Sequence, residues 1–218
     1  MIRWVWAFVL AAPLAAQEYV VTDGPLPDGD FYNLVACGAA PGAACNMPYV
    51  AWRKPAVTVT FAPVPLAYPA TLAKEMSRVL DTTLAQINGS APGLNVRRVS
   101  KSESADIVLY LQPLRAGDTI RGTGRPELDG IPIGAAQVQI WWDEALRITD
   151  AVIVFAADIP LGQVGPIMLE EVTQAMGLMT DIRNPYYDSL SVFSEDSNSV
   201  VKLGVQDRMA LRRHYPER

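Results

Sequence analysis

Apolar residues along this chain recur at two different spacings. At Val57 to Phe61 (VTVTF) β-branched and aromatic residues alternate with threonines, the period of a strand with one buried face. From Ala70 to Asn88 the positions Leu72, Met76, Val79, Leu80, Leu84 and Ile87 follow the helical period. They predict a long amphipathic helix, stopped by Asn88-Gly89 and Pro92. Leu94 to Val99 reads as a strand. Ala105 to Leu111 (ADIVLYL) and Ala151 to Ala157 (AVIVFAA) are apolar enough to lie inside a sheet covered on both faces. Between these two, Gly117 to Gly134 reads as a long loop and Ala135 to Trp142 (AAQVQIWW) as another alternating strand. Pro166 to Met176 predicts a helix with Gly177 placed for its C-cap, then a polar loop to Val200 and a closing helix from Val205 to Tyr215. That order predicts an α/β (α+β) fold, with helices packed on a mixed sheet of about five strands.

The chain has 218 residues, half of them hydrophobic, enough for one substantial core and too few for two ordinary domains. Its start, MIRWVWAFVLAAPLAAQEY, has one basic residue, an apolar run and small residues before Gln17, the layout of a secretory signal peptide cleaved after Ala16. A retained membrane anchor would need roughly 20 apolar residues, and no later segment is long enough to span a bilayer. Three segments are therefore expected: a signal peptide at 1–16, an irregular N-terminal arm at 17–55, and the folded domain at 56–218. The arm carries the two cysteines, Cys37 and Cys45, in CGAAPGAAC, a spacing that an oxidising compartment would close into a disulfide holding the arm to the body. The mature protein is expected to be exported, periplasmic or secreted. Cleavage leaves 17 basic against 23 acidic residues, a net charge of −6, with the basic ones scattered, which argues against nucleic acid as a partner.

The segment that could carry chemistry is LEEVTQAMGL, Leu169 to Leu178. At about 100° per residue, Met168, Leu169, Val172, Ala175 and Met176 share one arc. Glu170, Glu171 and Gln174 lie opposite, with Glu170 and Gln174 one helical turn apart.

This stretch resembles the H-E-x-x-H-x-x-G-L helix of zincin metallopeptidases, metzincins such as the matrixins in particular. Glu170 and Gln174 stand at two histidine ligand positions, Glu171 at the general base, and Gly177 at the glycine that turns the chain. The third ligand position falls on Thr180, followed by Asp181. The resemblance implies a zincin-like sheet with a long N-terminal helix, a degenerate active-site helix and a C-terminal helix. It places ADIVLYL at the central strand, AAQVQIWW at an antiparallel edge strand, Asp188 to Phe193 at the turn beneath the metal, and Leu203, Asp207, Leu211 and Tyr215 on the closing helix. The turn methionine is absent. E-E-x-T-Q with Gly-Leu, an aspartate and a D-S-x-x-F-like turn also resembles an uncharacterised bacterial family of exported proteins, in which case the histidine loss belongs to that family.

Zinc lowers the pKa of bound water from about 15.7 to about 7, worth about 12 kcal/mol, and a lone Glu171 cannot replace that. No zinc and no other cofactor is expected. A weak Ca²⁺ or Mg²⁺ site remains the alternative, because Glu170, Asp181 and Asp188 offer hard oxygen ligands. The expected function is a non-catalytic peptide- or protein-binding module of the cell envelope. Two alternatives stay open: a hydrolase using another cation or Glu170 and Glu171 directly, and a purely structural envelope protein. The edge strand of metzincins pairs with an extended peptide, which makes Gln139 and Trp141 the candidate peptide-binding residues; Trp141 and Trp142 point to opposite faces of that strand. His214 sits in the last turn of the closing helix, where a partly cationic group suits the helix dipole. Ser189 or Ser191 with His214 and Asp207 has no spacing that singles out a triad. Asn88-Gly89-Ser90 fits a glycosylation sequon and is read as a helix-end turn.

Overall fold

The computed structural model describes residues 19–100 and 105–217. The leader expected over residues 1–16 lies outside the described residues. The main sheet has five strands: β2 (Ala56–Phe61), β3 (Asn95–Arg98), β4 (Ile107–Leu111), β5 (Ala136–Trp142) and β6 (Ile148–Phe155). They lie in the order β3-β2-β4-β6-β5, parallel except for β5, which runs antiparallel at one edge. A two-stranded parallel sheet joins β1 (Tyr19–Val21) to β7 (Asp181–Arg183). The helices are α1 (Asp28–Cys37), α2 (Ala70–Ser90), α3 (Val164–Gln174) and α4 (Val205–His214).

The strand period of two explains why β6 is apolar at every position from Ala151 to Phe155. Ala151, Ile153 and Phe155 face the helices in the main core, while Val152, Val154 and Ala156 face a second, smaller cluster on the other side. That second cluster is supplied by the long loop after β4, through Ile120, Leu128 and Ile133. The loop is thus a lid over the helix-free face of the sheet. Within it the Asp129 carboxylate accepts from Thr123 N at 3.0 Å and Thr123 Oγ1 at 2.8 Å.

Helix α2 runs two residues further than the sequence suggests, because Asn88 finds a use inside the helix. Its amide donates to Val96 O at 2.8 Å and its oxygen accepts from Val96 N at 2.7 Å, closing the open edge of β3. The expected helix-end turn at Asn88-Gly89-Ser90 is therefore not there, and the Asn88 side chain is occupied.

The arm differs more. Instead of an irregular segment it holds β1 and a ten-residue helix, α1. Phe31, Leu34 and Val35 of α1 are wholly buried in the same core as β4 and β6. Phe31 packs against Tyr187 and Phe193, with ring centroids 5.5 and 6.2 Å apart. The Cys37–Cys45 disulfide is present, but it spans only eight positions within the arm. Burial of α1 against α4 and β7, rather than the disulfide, holds the segment in place.

Candidate functional site

The C-terminal end of α3 is fixed by partners far away in sequence. Its last carbonyls lack helical donors. Ala175 O accepts from the Trp52 indole Nε1 at 3.0 Å, and Met176 O from the Tyr215 hydroxyl at 2.6 Å. Gly177 follows with φ of +92°, where a Cβ would run into the Val50 carbonyl oxygen. Glycine is required there by conformation and by space together.

The polar arc of α3 is not a solvent face. Glu171 keeps only 9% of its surface exposed, and Thr173 and Gln174 are buried as well, leaving Glu170 half-buried. Thr173 Oγ1 donates to Leu169 O at 2.6 Å. Gln174 Nε2 donates to Asp181 Oδ1 at 2.8 Å, so the residue at one ligand position is tied to the carboxylate after the third. Thr180, at that third position, is turned elsewhere. It is buried, its N–H donates to Val35 O at 3.3 Å, and its Oγ1 lies 4.0 Å from Met47 Sδ, just past the disulfide loop. The arm thus covers Thr180, and β1 pairs Tyr19 with Asp181.

Burial first, and the Asp181 charge second, push the Glu171 carboxyl up to about 8. Burial, then Glu171 and Glu195, raise Glu170 well above the usual carboxylate range. No cation is among the charges that set these two carboxyls. Arg183 on β7 pairs with Glu195 at 3.0 Å and with Asp196 at 3.3 Å, and its guanidinium lies 3.6 Å from the Tyr19 ring centre. Glu171 Oε2 is buried with no hydrogen-bond partner. Among the described residues, no three His, Cys, Asp or Glu side chains gather closely enough to hold a metal ion. Glu195 reaches this site from a loop that carries no sequence signal for it.

The edge strand lies beside α3. Ala156 N donates to Ala135 O at 2.9 Å, which fixes the alternation of the antiparallel ladder. The main chain of residues 137, 139 and 141 faces β6, and that of Val138 and Ile140 faces outward. What Gln139 offers to the open edge is therefore its side chain. Its amide donates to Ile140 O at 2.9 Å, as the Gln137 amide does to Val138 O at 3.1 Å. Trp141 is half-buried against the small cluster beneath the loop, with the Arg125 guanidinium 4.8 Å from its ring centre. Trp142, past a bulge, is the exposed member of the pair at 40%.

His214 corrects an expectation. It is buried, with Nε2 2.8 Å from Val50 O and Nδ1 3.1 Å from the Tyr32 hydroxyl. Desolvation pushes its pKa down to about 4, so it is a neutral core residue rather than a cation on the helix dipole. Asp207 is equally structural. Its carboxylate accepts from Ser191 Oγ at 2.6 Å, Val192 N at 3.1 Å and Gly204 N at 2.7 Å, locking the Asp188 to Phe193 turn onto the start of α4. Ser191 and His214 thus have separate partners, and no triad forms. No helix among the described residues is long and apolar enough to cross a membrane. No protein-family model matches the chain, and comparison with curated proteins gives no relative.

Proposed function

We propose that this protein is an exported, zincin-like pseudo-peptidase that binds an extended peptide or protein segment along β5 without cleaving it. The observation that carries this reading is the open antiparallel edge of β5. Val138 and Ile140 direct their main-chain groups away from β6, the arrangement an added strand needs. The opposite edge, β3, is closed by Asn88, so the two edges are treated differently. The strand order and the E-E-x-T-Q helix beside β5 support the zincin-like resemblance. Gln174, at a ligand position, donates its amide N–H to Asp181. The Cys37–Cys45 disulfide supports an oxidising compartment.

Amide chemical-shift mapping with peptides selected from an extended-peptide library tests this reading. The Val138 and Ile140 amides should shift, and Gln137→Ala with Gln139→Ala, which uncovers two acceptor oxygens, should tighten binding. Unshifted amides at both positions would overturn it. A second reading has one observation in its favour: a Glu171 carboxyl pushed up to about 8 lies in the range of a general acid at neutral pH. It requires hydrolysis that disappears in Glu171→Gln.

A further inference from the structure

Glu171 is an acidic side chain placed where burial penalises its charge. It is nine-tenths buried, and its Oε2 has no donor. The groups around it are acidic: Glu170 on the same helix, Asp181 on β7, and Glu195 beside Glu170. The Gln174 amide is directed to Asp181, and Arg183 is paired with Glu195 and Asp196 and stacked on Tyr19, although its Nε has no hydrogen-bond partner. An orphaned acceptor among like charges is a position that a cationic hydrogen-bond donor would satisfy. The carboxylates are spread over one helix and a neighbouring strand rather than gathered around a point. That spread suits a nitrogen head with several N–H donors better than a single metal ion.

We propose that the acidic end of α3, formed by Glu170, Glu171 and Asp181, binds the protonated nitrogen head, guanidinium or ammonium, of a basic side chain on the partner. This deepens the peptide-binding reading by assigning the partner a basic residue, and rests on that reading only in taking the cation to belong to a peptide. On binding, the Glu171 carboxyl gives its proton to the buffer and its carboxylate accepts from the cation. Glu170 and Asp181 are half-buried, so the site is reached from the surface past these two side chains, while Glu171 Oε2 itself is buried.

Titration calorimetry at pH 7 with N-acetyl-arginine amide and N-acetyl-lysine amide, in two buffers of different ionisation enthalpy, tests the site without the edge strand. At least one should bind saturably with proton release, about tenfold more weakly in Glu171→Gln, where a charge-assisted hydrogen bond is lost. Glu170→Gln should weaken it further, with thermal melting confirming that both variants fold. The proposal is overturned if neither binds, if N-acetyl-citrulline amide binds equally well, if Glu171→Gln changes nothing, or if Ca²⁺ or Mg²⁺ binds more tightly than either amide. A neutral extended peptide that still shifts Val138 and Ile140 would leave the edge-strand reading standing when this one fails.

Discussion

Gln174 and Asp181 are joined by a 2.8 Å hydrogen bond in which the glutamine donates. The bond links the last turn of α3 to β7 across the place where the resemblance would put a metal. It directs an N–H into that space and holds an acidic side chain beside Glu171.

Glu171 makes the stability of the fold depend on pH. Its folded pKa of about 8 lies above the ordinary 4.5. Between those values the fold holds a proton that the unfolded chain releases, so stability is full below about 4.5 and is lost as pH rises to about 8. The loss is at most about 5 kcal/mol. Glu171→Gln should remove this slope and stabilise the protein at pH 8, as read from urea unfolding at several pH values. Unchanged pH dependence in the variant would show that Glu171 ionises freely.

His214 has the opposite sign. Its folded pKa of about 4 lies below the ordinary 6.5. The unfolded chain takes up a proton that the fold excludes, so stability is full above about 6.5 and is lost as pH falls to 4, by about 3 kcal/mol. The Glu171 and His214 slopes oppose each other between about 4.5 and 6.5. An imidazole titration followed by NMR, with a midpoint near 6.5, would contradict the buried neutral ring.

Leu146 has φ of +58° in the turn between β5 and β6, where Asp143 N donates to Arg147 O at 3.0 Å. Its position is the left-handed one that glycine ordinarily fills in a three-residue hairpin. Leu146 is 37% exposed, so the packing lost on truncation offsets part of the backbone gain. Leu146→Gly should stabilise the protein by about 1 kcal/mol, seen as a raised melting midpoint.

Gly177→Ala should do the reverse. The left-handed φ and the approach of Val50 O leave no room for a Cβ at the end of α3. A loss of about 3 kcal/mol or more follows, and equilibrium unfolding should register it even though the added group is one methyl.

Reducing Cys37–Cys45 removes the constraint of a short loop, worth about 2.5 kcal/mol. It should not free the arm, because Phe31, Leu34 and Val35 remain in the core. Hydrogen exchange should show α1 still protected in the reduced protein. Loss of that protection ahead of α4 would show that the disulfide, and not burial, holds the helix.

The sequence by itself determined the main sheet and the three helices α2, α3 and α4, because each carries a hydrophobic period set by local geometry. It also determined that LEEVTQAMGL lacks the two histidines of the H-E-x-x-H pattern and that two cysteines stand eight positions apart. It did not reveal α1, whose segment mixes Gly, Pro and Asp with its apolar residues and whose buried face is set by α4 and β7. Nor did it reveal that the glycine-rich loop after β4 carries a core of its own, since Ile120, Leu128 and Ile133 follow no regular period. A helical wheel divides α3 into polar and apolar arcs but cannot tell which arc meets water. Only the tertiary structure placed β7 against the polar arc and the arm over Thr180, burying Glu171 beside Asp181. Long-range packing likewise made His214 neutral, since Val50 and Tyr32 lie 164 and 182 positions away along the chain. Charge and exposure at this site are properties of what surrounds each side chain, which spacing along the chain does not encode.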